Sequence, residues 1–275
     1  MEVSASVRCK NPSAQINGRT IVKRRSDGSL LSYDFKYLSL PAVGQVGFRY
    51  YTSTDYGATW ATFTNGLVTF SGHTVASCHF FRIFEHNNNE LYAIVETYLD
   101  SGPNFSTAVI KSTDGVNWTL AATTSIIGNG STPYVEPTMV RCANGSWLIV
   151  MRTANIGPMR YSRSTNQGVT WSAPAALPGL DTPSSGNNDE GVDPELCLMP
   201  NGILVLSWGR PAGGSIGRNP RLAFSADGNG TSWTNQVETF AGTDNVKEST
   251  GYTAVVPTNA HSLIQIGDTG TSWSY

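Results

Sequence analysis

Short apolar runs separated by turn residues recur along the chain. Residues 136–152 hold two of them, Thr-Met-Val and Trp-Leu-Ile-Val-Met, on either side of Asn144-Gly145. An Asn-Gly pair between such runs predicts a β-hairpin, because both residues accept the left-handed backbone that a tight two-residue turn demands. Residues 193–210 repeat the pattern around Asn201-Gly202. Looser copies run over 19–34 around Asp27-Gly28, over 81–96 around Asn88-Asn89, and over 251–268 around Asn259-Ala260. Five hairpin units are therefore predicted, and the last leaves no room before Tyr275 for two further strands.

Downstream of each of the first four hairpins stands a second repeated element, Ser-x-Asp-(x)-Gly-x-x-Trp. Its copies are Ser53 to Trp60, Ser112 to Trp118, Ser164 to Trp171 and Ser225 to Trp233; the third carries Asn166 in place of Asp. The acidic or amide positions 55, 114, 166 and 227 are separated by 114−55 = 59, 166−114 = 52 and 227−166 = 61 residues. A repeat of that length predicts one four-stranded propeller blade with long loops. Within the element, Asp or Asn folds back onto backbone N–H groups and Gly takes a positive φ, so it reads as a tight turn between strands. The fold expected is all-β, a β-propeller of four-stranded antiparallel blades occupying residues 1–275 as one domain. A two-stranded last unit leaves open edges. Residues 1–17, including Glu2 to Arg8, are expected to add an outer strand and close a five-bladed ring; the alternative is a shortened six-bladed propeller.

Composition narrows the function classes. The chain has 28 Gly, 14 Pro and 7 Trp, and 18 Lys+Arg against 20 Asp+Glu give a formal charge of −2. That balance lacks the basic face a nucleic-acid partner needs, and no apolar run is long enough for a spanning helix. Met1 to Lys10 lacks the apolar core of a signal peptide. With abundant Ser, Thr and Asn, the chain reads as the mature form of a secreted or periplasmic protein. Cys9, Cys78, Cys142 and Cys197 lack metal-site spacing and read as small buried residues, one disulfide being possible. No HExxH, P-loop or dinucleotide fingerprint occurs, so no metal or cofactor is expected. His73, His79, His86 and His261 read as surface or loop residues.

In a propeller, both ends of each inner hairpin meet at one mouth of the central channel. Those ends are Arg19 and Asp34, Arg82 and Glu96, Glu136 and Arg152, Asp193 and Arg210, and Tyr252 and Asp268. A charged residue or Tyr at every end marks a polar site. The combination of Asp-box repeats with this order resembles the sialidases, most closely over residues 134–268. The resemblance implies a structural role for Asp55, Asp114 and Asp227. It implies a nucleophilic Tyr252 paired with Glu136, with Arg152 and Arg218 binding the substrate carboxylate. Arg82 in Phe-Arg-Ile-Phe or Arg19 would be the first arginine of that clamp, with Asp34, or alternatively Asp100, as acid/base. Arg210 and Asp268 complete the substrate-binding set. A phenol, with a pKa of about 10, needs a carboxylate to take its proton before it can attack. The activity implied is exo-acting hydrolysis of terminal, acidic sugars from glycans. Two alternatives are a glycosidase on another sugar using Glu136 with Asp193 or Glu195, and a carbohydrate-binding propeller without turnover.

Overall fold

The computed structural model describes residues 20–34, 39–86, 90–100, 105–122, 124–128, 132–153, 158–178, 180, 191–209, 220–239 and 252–267. Every named element among them is a β-strand. They divide into two units, Met1–Ser131 and Thr132–Tyr275.

In the first unit, β1 (Thr20–Arg24), β2 (Leu30–Asp34), β3 (Gln45–Ser53) and β4 (Thr64–Thr69) form an antiparallel meander. A second meander follows in β5 (Val75–His86), β6 (Glu90–Leu99), β7 (Ser106–Ser112) and β8 (Asn117–Leu120), with the short β9 (Ile126–Ile127) pairing with β7. These are the first two predicted blades, with one difference. β4 and β8 pair in parallel, Leu67 with Asn117 through Thr69 with Thr119, so the two meanders share one sheet. Each would otherwise present an edge of unpaired N–H and C=O groups, and lateral pairing satisfies them. Leu31, Tyr33, Phe48, Val68, Phe80, Leu91 and Trp118 fill the core of this unit. The Tyr33 hydroxyl donates to the Gly115 carbonyl at 3.2 Å, and burial pushes its ionisation far above the ordinary phenol range.

Among the described residues, the second unit holds three sheets. β10 (Tyr134–Arg141), β11 (Trp147–Thr153), β12 (Arg160–Ser164) and β13 (Ala175–Ala176) make the first. β14 (Val192–Leu198), β15 (Leu204–Gly209), β16 (Pro220–Ser225) and β17 (Thr234–Glu238) make the second, and β18 (Thr253–Pro257) with β19 (Leu263–Gly267) the third. The Asn-Gly hairpins form where the pattern puts them, with φ of 83° at Gly145 and 87° at Gly202. Leu148 to Met151 are all buried. The expected closing strand from residues 1–17 lies outside the described residues. Cys78, Cys142 and Cys197 are buried, and Cys9 lies outside the described residues.

The four Ser-x-Asp turns each follow the third strand of a four-stranded meander, after Ser53, Ser112, Ser164 and Ser225. One device builds all four. The Ser hydroxyl donates to the Asp or Asn side chain and accepts from the Gly N–H, at 2.9, 2.8, 2.8 and 3.0 Å for Gly57, Gly115, Gly168 and Gly230. Gly230 must be glycine: its φ is 68°, and a Cβ there would stand 2.7 Å from the Leu148 side chain. Asn166 shows that the turn forms without a charge, its amide donating to Thr170 Oγ1 at 2.8 Å where Asp55 accepts from Thr59.

The three carboxylates carry a pH dependence. Hydrogen bonds from Thr59 and Ser53 lower the Asp55 pKa to about 2. At Asp114 and Asp227 partial burial pushes the pKa up, but the bonds from Asn117, Val116 and Ser112, and from Ser225, Thr231 and Asn229, outweigh it and leave both at about 2. A folded value below the ordinary 3.8 means that these groups stabilise the fold fully above that value. Their contribution is lost as pH falls from there toward about 2. The double variant Asp114→Asn/Asp227→Asn should therefore show a flatter fall of thermal midpoint over that acid interval, with little change at neutral pH. An unchanged acid slope would refute the assignment.

Candidate active site

Three inner strands of the second unit run in the order β10, β14, β18, and each buries an apolar residue, Met139, Leu196 and Val255. Counting back three residues from each reaches Glu136, Asp193 and Tyr252. Glu136 and Asp193 thus occupy one equivalent position on β10 and β14, and Tyr252 immediately precedes β18.

The local sequence explains how two of them are aimed. Glu136 and Asp193 both precede a proline, which disfavours the right-handed α region for them. Both adopt positive φ, 49° and 48°. Both also fall at a register break, between Val135 and Thr138 in one strand and between Val192 and Glu195 in the other. A bulge of this kind re-aims a side chain and costs on the order of 1–3 kcal/mol of backbone strain, which the surrounding sheet must hold.

Donors converge on the Glu136 carboxylate, which is 8% exposed. The Tyr252 hydroxyl donates to Oε1 at 2.7 Å, and Arg152 Nη1 donates to the same oxygen at 3.3 Å. The Asp193 backbone N–H donates to Oε2 at 2.9 Å. Arg152 reaches this position because Val135, the residue before Glu136, pairs directly with it across the hairpin. The arrangement couples a phenol to a carboxylate through one short hydrogen bond, beside a guanidinium able to bind an anion bidentately.

The remaining predicted residues are placed as follows. Asp193 is buried and joins the cluster through its peptide N–H. Glu195 lies two residues further along β14, opposite Ser207. In the first unit, Asp34 ends β2 opposite Thr20, and Arg82 follows a register break in β5 and pairs with Ile94. Glu96 is buried, with Oε1 3.7 Å from His79 Nδ1. Arg19, Arg210, Arg218 and Asp268 lie outside the described residues.

Sequence reasoning passed over His73. Its Nδ1 lies 2.7 Å from Asp100 Oδ2, and Thr74 N–H donates to Asp100 Oδ1 at 2.9 Å. The His73 bond foremost, then the Thr74 bond, lowers the Asp100 pKa. Asp100 itself sits at φ 54° just past β6. Nothing in the local pattern signals this pair, since the two residues flank opposite ends of the β5–β6 hairpin sequence. Among the described residues, no group of three or more His, Cys, Asp or Glu is placed to hold a metal ion. Among the same residues, no helix is long and apolar enough to cross a membrane.

No protein-family profile matches the chain, and no curated protein matches it. Solved structures do resemble it. A protein of unknown function from Dyadobacter fermentans DSM 18053 superposes with a TM-score of 0.61 at 17% identity, over 89% of this chain and 74% of that one. The Hadza microbial sialidase Hz136 gives 0.60 at 14%, over 89% of this chain and 49% of the sialidase. The endo-arabinase from Bacteroides thetaiotaomicron VPI-5482 gives 0.60 at 15%, over 90% and 87%. The fold is a β-propeller. This propeller chain spans about half the length of the sialidase it resembles and most of the length of the endo-arabinase.

Proposed function

We propose that this propeller is a secreted, exo-acting glycoside hydrolase that removes terminal acidic sugars from glycans, with residues 1–275 acting as one domain. The observation that carries the reading is the Tyr252 hydroxyl donating at 2.7 Å to Glu136 Oε1. In the proposed reaction the phenol oxygen attacks the anomeric carbon as its proton passes to the Glu136 carboxylate. The bond from that carbon to the leaving oxygen breaks, and Asp34 supplies the proton to the departing alcohol. Water, deprotonated by the same Asp34, then releases the sugar from Tyr252, and Glu136 returns the phenol proton. A neutral nucleophile suits a sugar whose anomeric carbon bears a carboxylate, because two anions would repel each other. Arg152, with Arg19 or Arg82 and with Arg218, is the proposed clamp on that carboxylate; Arg210 and Asp268 contact the rest of the sugar.

A second reading has one observation in its favour. Glu136 and Asp193 stand at equivalent bulges on neighbouring strands, and a glycosidase on a neutral sugar uses two carboxylates. The likeness to an endo-arabinase is compatible with it. Hydrolysis of an aryl α-sialoside beside an aryl α-L-arabinofuranoside by the purified chain separates the two. Release from the sialoside alone is expected. Release from the arabinoside alone would move the assignment to the carboxylate pair. Binding of either sugar with no release would identify a lectin.

A further inference from the structure

The hairpin β18–β19 that carries Tyr252 at its start has only two strands among the described residues, and one of its faces meets the sheet β14–β17. On its opposite face Ile264 and Ile266 are 49% and 60% exposed. The buried face supplies Val255 and Leu263 to an apolar cluster with Cys197, Val205 and Leu222. Apolar contact is non-directional and does not by itself fix where along its axis a strand sits. A slip of one residue would turn every side chain of β18 to the other face.

Set into this same interface is a polar chain. Gln265 Nε2 donates to Ser207 Oγ at 2.7 Å and to the Arg221 carbonyl at 3.3 Å. Ser207 Oγ in turn lies 2.6 Å from Thr253 Oγ1. Ser207 is fully buried and Thr253 is 6% exposed. Burying these groups costs free energy unless they bond, and the Nε2 and hydroxyl bonds form in this register of the hairpin on β15, while Gln265 Oε1 is buried without a partner. Thr253 is the residue directly after Tyr252.

We propose that Ser207, Thr253 and Gln265 are positioning residues that lock the register of β18 and thereby hold the Tyr252 hydroxyl on Glu136. This rests on the reading of Tyr252 as the nucleophile. The test compares Thr253→Val, which keeps the shape and removes the hydroxyl, with Thr253→Ser, which keeps the hydroxyl. Two readouts are used: kcat and KM on the sialoside, and ultraviolet titration of the Tyr252 phenol, taken as the difference from the matching Tyr252→Phe protein. Thr253→Val should lower kcat roughly 10- to 100-fold with KM little changed and should move the phenol titration. Thr253→Ser should recover most of both.

An unchanged kcat and titration in Thr253→Val overturns the proposal, as does equal loss in the Ser and Val variants. If the unsubstituted chain hydrolyses neither sugar, the functional reading fails by itself; the titration of Thr253→Val then still decides the register lock. Should Thr253→Val not fold, Gln265→Met, altered at the partly exposed end of the chain of bonds, replaces it. The same shift in phenol titration is expected there, and an unmoved titration overturns the lock.

Discussion

Replacing Tyr252 with Phe should abolish turnover of the sialoside, with kcat lower by about 10⁴-fold or more, as when a covalent nucleophile is deleted. The substitution removes one oxygen and leaves the ring to pack as before, so thermal midpoint and sugar binding should hold. Glu136→Gln should cost about 10²- to 10⁴-fold, the range for a proton acceptor in the transition state. Its effect has a second origin in the geometry. All the donors described on the Glu136 carboxylate, from Tyr252, Arg152 and Asp193, need an acceptor oxygen. An amide keeps one acceptor oxygen and puts an NH2 donor in place of the other, so at least one of these contacts becomes repulsive. Full activity in Tyr252→Phe would end the nucleophile assignment. Equal loss in Glu136→Gln and Asp193→Asn, with Tyr252→Phe still active, would favour the carboxylate pair.

Trp118→Ala should be the most destabilising single change in the first unit, at about 3–5 kcal/mol. Trp118 is 1% exposed and stands edge-on to two rings, 5.4 Å from Phe80 and 6.0 Å from Tyr33. Its indole N–H donates at 3.1 Å to the Gly115 carbonyl, which also accepts from Tyr33. Truncation leaves a large cavity beside Tyr33 and Phe80, and removes one of the two donors from that carbonyl. It also loosens β8, which pairs in parallel with β4 through Trp118 itself. The thermal midpoint should fall by roughly 6–20 °C, and Trp118→Phe should recover part of the loss. A fall of only a degree or two would show that Trp118 does not hold the two meanders together.

The alternation of apolar runs with Asn-Gly and Ser-x-Asp turns determined the strands, the hairpins and the turn after each third strand. Those features are local: the pleat alternates faces every residue, and a left-handed turn position selects Gly or Asn wherever it occurs. Glu136, Arg152 and Tyr252 could be nominated because hairpin ends have a fixed place in a propeller. Their meeting could not be read from the chain, since Tyr252 and Glu136 are 116 residues apart, one in β10 and the other just before β18.

Tertiary structure alone decided four things. It joined β4 to β8, because two outer edges with unsatisfied backbone groups lay side by side. It made the Asp193 peptide a donor to Glu136, because the bulge there points an N–H at the carboxylate. It paired His73 with Asp100 across the two ends of one hairpin. It set Ser207, Thr253 and Gln265 in one buried chain of hydrogen bonds. Each depends on how one sheet or strand lies against another, and residue periodicity carries no record of that.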